Sequence, residues 1–170
     1  MIKLILALLS KNYIFDIFSG QSEHCKRALS LMDFDKINYN LIESTLEHIL
    51  ESDEYPQQGS ILVFLPGLQE IMTLHDQIAK HPLISRHCRL LPLHSSLTSE
   101  EQSLIFSKTS KRKIVISTNL AETSITIDDC VFVIEVGKMK EKRFDPSKNM
   151  ESLDTIWVSK ANALQRKGKV

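Results

Sequence analysis

A concentrated set of polar side chains follows an apolar segment in the second half of the chain. Residues 113–117 (KIVIS) have the composition of a buried strand, and hydroxyl, amide and carboxylate side chains crowd residues 118–128 (TNLAETSITID). Open α/β sheets place their ligands at the carboxyl ends of strands, so this pattern favours a binding site. The same residue types also cap helices and close loops. The chemistry of these residues leaves both interpretations open.

Composition indicates one globular domain without a strong overall electrostatic field. The 170 residues are 42% hydrophobic and include only 5 Gly and 5 Pro, which is enough apolar surface for one sizeable core. Lys plus Arg equals Asp plus Glu at 21 each, so any contact with nucleic acid would need a local basic patch. The charge balance argues neither for nor against RNA.

The cysteines and the first ten residues give information about the cellular compartment of the protein. Cys25, Cys88 and Cys130 form no C-x-x-C pair, which disfavours a disulfide framework or a zinc site and is typical of the cytosol or the nucleus. Residues 1–10 have the charge-then-apolar order of a signal peptide, but the apolar run at 4–9 is short for one and far too short to span a bilayer. A packing helix, or coding sequence that does not belong to the domain, are the other interpretations. We expect no contact with a membrane.

Apolar runs of strand length alternate with helical patterns along the chain. Strands are predicted at 61–65, 89–93, 113–117 and 131–136, and helices at 38–50, 68–78 and from Ser99 onward. This alternation predicts a parallel sheet of about five or more strands with helices on both faces. Residues 138–144 and 152–158 flank turn residues and predict a protruding β-hairpin, before a closing helix at 159–166. We expect a poorly determined N-terminal extension at 1–30 and one domain at 31–170.

Four segments carry a resemblance to a known family. Residues 118–127 (TNLAETSITI) are similar, nearly letter for letter, to motif V of DEAH-box RNA helicases. Residues 61–67 (ILVFLPG) resemble motif IV, 92–97 (PLHSSL) motif IVa, and 159–168 (SKANALQRKG) the approach to motif VI, in the family's order. Residues 32–39 and 139–143 most resemble the branch of animal DEAH protein 57. The resemblance covers residues 31–168 and implies the second, C-terminal RecA-like domain of such a helicase.

This resemblance implies a nucleotide surface. In such motors ATP and Mg²⁺ lie between two RecA-like domains, and the second supplies an aromatic face for adenine and polar contacts. Phe106 stands at the position resembling the adenine-stacking aromatic, although an amphipathic helix would also use it as a core residue. Thr126 and Asp128 match the motif V positions that approach the nucleotide. A carboxylate there would accept ribose hydroxyls, because direct contact with phosphate is repulsive.

The resemblance also implies contacts with the RNA phosphate backbone. Neutral donors and two cations are expected to fix register without reading base sequence. These predicted contacts are Ser95, Thr118, Asn119, Arg112 and Lys113, with the two cations on the loop before a strand. His94 is either a structural hydrogen-bonding residue or a further contact. The basic group at Lys138, Lys140, Lys142 and Arg143 is either a solvated hairpin face or part of the strand-separating hairpin that the family places here.

The end of the chain departs from the family's pattern. Motif VI runs Gln-Arg-x-Gly-Arg with a further Arg, and this sequence reads QRKGKV at 165–170, so that Arg166 and Lys169 are the expected remnant. Lys is a point charge without the planar fork of an arginine finger, whose loss costs on the order of 10³ in turnover. Glu135 also stands where the family usually has Asp.

The sequence contains neither Gly-x-x-x-x-Gly-Lys-Ser/Thr nor Asp-Glu-x-His. We therefore expect part of an ATP-dependent RNA helicase, truncated within motif VI, which does not hydrolyse ATP alone and binds no cofactor tightly. Its expected partners are RNA, a missing first RecA-like domain and C-terminal helicase modules. The alternative is a non-enzymatic module, from a truncated product, that binds RNA or protein.

Overall fold

Four parallel strands form the central sheet. The structure is a computed structural model and describes residues 22–123, 125–146 and 149–169. The strands β1 (Ser60–Phe64), β2 (Cys88–Leu93), β3 (Arg112–Ser117) and β4 (Cys130–Glu135) lie in the order β2-β3-β1-β4. All neighbours are parallel, so the predicted α/β class is confirmed. The expectation of about five or more strands is wrong for the described residues, because the remaining strand segments pair with each other instead of joining the sheet.

Helices connect the strands and cover the sheet. They are α1 (Glu23–Ser30), α2 (Tyr39–Glu51), α3 (Leu68–Ile78), α4 (Pro82–His87), α5 (Ser99–Ser103), a 3₁₀ turn (Leu104–Phe106), α6 (Leu120–Thr123) and α7 (Lys160–Lys167). The side chain of Asn38 accepts from the N–H of Leu41 and begins α2 where the pattern predicted it. The sequence did not predict α4, since six residues are too few to show helical periodicity.

Alternate residues of each strand enter two separate cores. Side chains of Ile61, Val63, Ile114 and Ile116 pack with helices α2, α3 and α4 on one face. Leu62, Phe64, Leu91, Leu93, Val115 and Val133 pack on the other face with Ile105, Ala121 and Ile127. Both faces are therefore apolar, as expected for a parallel sheet. We refer to the second as the Ile105 face, because the segments that carry the predicted nucleotide residues cover it.

Gly59 allows the chain to enter β1 beside β4. Its φ of +93° lies in the left-handed region, and a Cβ there would meet Val131 Cγ1 at 2.5 Å. Both observations require glycine at this point.

A two-stranded hairpin leaves the carboxyl edge of the sheet after β4. Strands β5 (Lys138–Asp145) and β6 (Met150–Trp157) are antiparallel, with Lys138 opposite Trp157 and Asp145 opposite Met150. Most of β6 is exposed, which confirms that the hairpin protrudes. Residues 147 and 148 of its predicted turn lie outside the described residues. No helix in the described ranges is long and apolar enough to cross a membrane.

Candidate functional site

Four of the predicted RNA contacts lie together at the carboxyl edge of the sheet. His94 and Ser95 follow β2, and Thr118 and Asn119 follow the neighbouring strand β3. The N–H of Thr118 donates to the carbonyl of Leu93 over 3.4 Å, which holds the two loops side by side. Ser95 and Asn119 are exposed, so their hydroxyl and amide groups are accessible to a ligand.

The other two residues of this group have structural hydrogen bonds. Thr118 is 7% exposed, and its hydroxyl lies 3.5 Å from the N–H of Leu120 at the start of α6. The interpretation of these polar residues as helix-capping and loop-closing residues therefore fits Thr118. The Nδ1 atom of His94 accepts from the N–H of Ser96 over 3.1 Å and lies 2.8 Å from the Ser96 hydroxyl. A nitrogen that accepts this bond carries no proton, so Nε2 is the donor of the neutral ring.

Arg112 lies at the opposite edge of the sheet from these loops. It begins β3, and six residues of strand separate it from Thr118 by about 20 Å. Its Nε donates to the carbonyl of Gly59 over 2.9 Å, and its guanidinium lies 5.2 Å from the ring centre of Phe132. Burial lowers the pKa of Arg112, and both Nη atoms are buried without a hydrogen-bond partner among the described residues. The structure therefore does not bring Arg112 together with Thr118 and Asn119, and its predicted RNA contact stays a prediction.

Lys113 is likewise turned away from the carboxyl edge. Its Nζ lies 3.1 Å from the carbonyl oxygen of Ile105 and 3.3 Å from a carboxylate oxygen of Asp129. The side chain is only 15% exposed. The other oxygen of Asp129 accepts from the hydroxyl of Ser60 over 2.7 Å. The ammonium group of Lys113 is therefore occupied inside the protein, and its predicted RNA contact stays a prediction.

The predicted nucleotide residues are carried by segments that cover the Ile105 face. The side chain of Phe106 is 61% exposed, whereas that of Ile105 beside it is 1% exposed. The alternative that Phe106 belongs to the core is therefore wrong, because Ile105 fills that position. Thr126 and Asp128 are both exposed and flank Ile127, which is buried. The three predicted nucleotide contacts are thus exposed, and each is next to a residue that is buried in the core.

Lys169 lies close to this group. Its Nζ donates to the carbonyl of Ile125 over 3.2 Å, next to Thr126. The residue at the expected position of the first finger is therefore attached to the nucleotide-side loop.

Arg166 is an internal residue. It is 1% exposed, its Nη1 donates to a carboxylate oxygen of Glu135 over 2.6 Å, and its guanidinium lies 4.6 Å from the ring centre of Phe64. The other oxygen of Glu135 accepts from the N–H of Gly137 over 2.7 Å. Arg166 therefore has a structural partner inside the protein, and its assignment as a remnant of motif VI stays a prediction. Sequence reasoning missed this pair, although a carboxylate ending an apolar strand indicates a buried cationic partner.

The basic residues of the hairpin divide into two groups. Near its base, Lys138 is buried with Nζ 3.7 Å from the ring centre of Trp157, and Lys140 forms an ion pair of 3.0 Å with Glu70 of α3. Lys142 and Arg143 are exposed further along β5. Among the four, Lys142 and Arg143 are the exposed ones, so the interpretation of a wholly solvated basic face is wrong for Lys138 and Lys140.

Comparison with known proteins identifies the class. The family model described as the helicase conserved C-terminal domain matches residues 40–170. A crystal structure of the E. coli DExH-box NTPase HrpB aligns with a TM-score of 0.66 at 32% identity, over 79% of this chain and 16% of that one. The sheet, the edge loops and this match define a RecA-like helicase motor domain.

Curated relatives extend the match to the DEAH-box group. The human putative ATP-dependent RNA helicase DHX57 is 53% identical over 158 residues, which are 89% of this chain and 11% of that protein. The rat ATP-dependent DNA/RNA helicase DHX36 is 45% identical over 160 residues, 92% of this chain and 16% of that protein. The chain belongs to the helicase C-terminal domain family and is homologous to DEAH-box RNA helicases, including the DHX57 branch. These matches favour the helicase over the alternative of a non-enzymatic module.

Proposed function

We propose that this chain acts as the second motor domain of an ATP-dependent RNA helicase. The observation that carries the proposal is the separation of two exposed sets of residues on one rigid sheet. Phe106, Thr126 and Asp128 present a surface beside the Ile105 face, and Ser95 and Asn119 present another at the carboxyl edge. A motor domain needs both surfaces, because nucleotide and RNA must act on the same domain.

The nucleotide surface would bind the base and ribose rather than the phosphates. Phe106 offers an aromatic face, and the carboxylate of Asp128 accepts hydroxyl hydrogens while repelling phosphate. Curated relatives are named as ATP-dependent, and we propose ATP with Mg²⁺ as their cofactors. The residues that grip the β-phosphate and Mg²⁺ would come from a first RecA-like domain, and C-terminal helicase modules would be further partners. The dispersed cysteines support the cytosol or the nucleus as the compartment.

The RNA surface would take its positive charge from the hairpin rather than from Arg112 and Lys113. Arg112 and Lys113 are occupied at the amino edge, whereas Lys142 and Arg143 lie on the hairpin that leaves the carboxyl edge. Ser95 and Asn119 would donate to phosphate oxygens, and the two exposed hairpin cations would supply the charge. Binding should therefore be weak and indifferent to base sequence.

The slope of RNA affinity against salt tests this assignment. For two cations on a single strand, log affinity should fall with log salt concentration with a slope of about −1.4. Lys142→Gln and Arg143→Gln should each reduce this slope by about 0.7. Fluorescence anisotropy with labelled poly(U) and poly(A) oligonucleotides, titrated from about 50 to 200 mM salt, measures it.

Two variants test whether RNA binds at the carboxyl edge of the sheet or elsewhere on the molecule. Asn119→Ala should weaken binding to poly(U) and poly(A) equally. Arg86→Gln is the matched control, because Arg86 is an exposed cation just before β2, at the amino edge. An unchanged affinity in Asn119→Ala, or a larger loss in Arg86→Gln than in the hairpin variants, would place the RNA on another surface.

A further inference from the structure

We infer that Lys113 is a positioning residue that joins the two segments of the nucleotide surface. One segment is the 3₁₀ turn that carries Phe106, and the other is the loop that carries Asp128. The inference rests on the proposed function, because it assigns a role to Lys113 in presenting the adenine-stacking and ribose-binding residues together.

The geometry of one ammonium group supports this role. The Nζ of Lys113 contacts the carbonyl oxygen of Ile105 at 3.1 Å and the carboxylate of Asp129 at 3.3 Å. Each acceptor belongs to the residue next to a predicted ligand contact, Phe106 in one case and Asp128 in the other. Lys113 therefore connects two segments that are more than 20 residues apart in sequence.

The second segment is itself held against the sheet. Asp129 accepts from the hydroxyl of Ser60 over 2.7 Å and, through its carbonyl, from the N–H of Ser60 over 2.6 Å. Ser60 is fully buried in β1. These bonds thus fix Asp129 relative to the sheet, and Lys113 in turn fixes the 3₁₀ turn relative to Asp129.

The first segment needs such a connection because Phe106 has little packing of its own. Its side chain is 61% exposed, so its position follows from the backbone of the turn. That backbone is anchored by the buried side chain of Ile105 and by a 3.2 Å hydrogen bond from Arg89 to Ser107. The side chain of Ile105 shares a core with Ile127, and Lys113 adds a direct polar contact between the backbone of the turn and the loop of Asp128.

This arrangement predicts a selective effect on ligands. Loss of the ammonium group should disturb the relative position of the base-stacking and ribose-binding residues. It should leave phosphate binding unchanged, because Lys113 is 15% exposed and its ammonium group contacts protein acceptors. A role in binding phosphate would produce the opposite selectivity.

The experiment compares Lys113→Met and Lys113→Arg in the full 170-residue chain. Lys111→Met is the matched control, because Lys111 lies two residues away and bonds the carbonyl of Ser85 instead. Titration with adenosine and with inorganic tripolyphosphate, followed by amide chemical shifts, should show about tenfold weaker adenosine binding in Lys113→Met. Tripolyphosphate binding should not change, and Lys113→Arg should restore adenosine binding. Equal loss for both ligands, no loss of adenosine binding, or no rescue by Arg would overturn the inference.

Hydrogen exchange tests the connection without any ligand. The N–H of Ser107 bonds the carbonyl of Leu104 over 3.1 Å, and the N–H of Cys130 bonds that of Ile127 over 3.2 Å, so each amide reports on one segment. Both should exchange faster in Lys113→Met and neither in Lys111→Met. Unchanged exchange at either amide would overturn the inference alone. Adenosine binding that is absent from the unmodified chain, or unaffected by Phe106→Ala and Asp128→Asn, would instead contradict the proposed function.

Discussion

Glu135 and Arg166 are opposite charges whose side chains are 2% and 1% exposed. Their ion pair closes the carboxyl end of β4 against α7, and the guanidinium also packs over Phe64. A buried charge without its partner is costly because it has lost its hydration. The pair therefore holds the helix that leads to Lys169 against the sheet.

Breaking this pair should destabilise the fold strongly. We expect Arg166→Met and Glu135→Gln each to lower the free energy of unfolding by about 3–5 kcal/mol, since each removes one charge of a buried ion pair. Urea unfolding followed by the fluorescence of the single tryptophan measures it. Lys167→Met is the control, because Lys167 is the exposed neighbour on α7. Losses below about 1 kcal/mol for both variants would contradict a buried charge pair.

The buried thiols lead to a second prediction for single residues. Burial raises the pKa of Cys88 and of Cys130 to about 11, from an ordinary value of 9.0. Near pH 8 each thiolate should be about 100-fold rarer than in the unfolded chain, so alkylation of a folded Cys25→Ser variant should be slower by at least that factor. Timed iodoacetamide labelling with and without urea measures the ratio.

The sign of the linked stability follows from the same shifts. A thiol whose pKa is raised in the folded state stabilises it below the ordinary thiol pKa, and this contribution is lost as the pH rises through about 11. A folded protein that labels at the unfolded rate would show that Cys88 and Cys130 are accessible.

At the scale of elements, the ion pair between Lys140 and Glu70 links the hairpin to α3. The ammonium group of Lys140 lies 3.0 Å from the carboxylate of Glu70, and the two side chains are 26% and 20% exposed. Glu70 is in the first turn of α3, where a negative charge is also favoured by the helix dipole. The base of β5 is therefore attached to the helix that follows β1.

Removing this attachment should loosen the hairpin without unfolding the sheet. Lys140→Met should increase amide exchange along residues 138–145 and 150–157, with a coupling to Glu70→Gln of about 0.5–1 kcal/mol in a double-mutant cycle. Lys142→Met is the control, because the Lys142 and Glu151 side chains are 79% and 70% exposed and 4.0 Å apart. A hairpin that exchanges equally in all variants would show that β5 and β6 need no support from α3.

At the scale of the whole molecule, Lys169 tests how this domain would work beside a first motor domain. Its Nζ bonds the carbonyl of Ile125, so it already lies beside Thr126. In a chimaera with a relative's first domain, extended past Val170 with the family's motif VI residues, Lys169 supplies one charge without bidentate geometry.

We expect Lys169→Arg to raise ATP turnover in this chimaera by at least about tenfold, equivalent to roughly 1.4 kcal/mol of transition-state stabilisation. The affinity for ATP should change little, because Phe106 and the first domain would supply it. Steady-state hydrolysis with RNA present gives both quantities, and Lys167→Arg is the matched control. Equal turnover for Lys and Arg at position 169 would show that this residue is no finger.

The sequence by itself determined the elements and the family. The four sheet strands, the helix begun by Asn38, the protruding hairpin and the closing helix were all predicted to within one or two residues of their ends. These features depend on the local periodicity of apolar residues and on turn residues. Residues close together in the chain are therefore enough to predict them. The family followed from the resemblance of residues 118–127 (TNLAETSITI) to motif V, together with three further segments in the family's order.

Only the tertiary structure decided which charges face the solvent. Arg112 contacts Gly59, which is 53 residues away, and Arg166 contacts Glu135, which is 31 residues away. Other polar residues remain exposed, among them Ser95, Asn119 and Asp128. Whether a polar side chain binds a ligand or is buried in the protein depends on partners that chain folding brings from distant positions, and no local pattern records them.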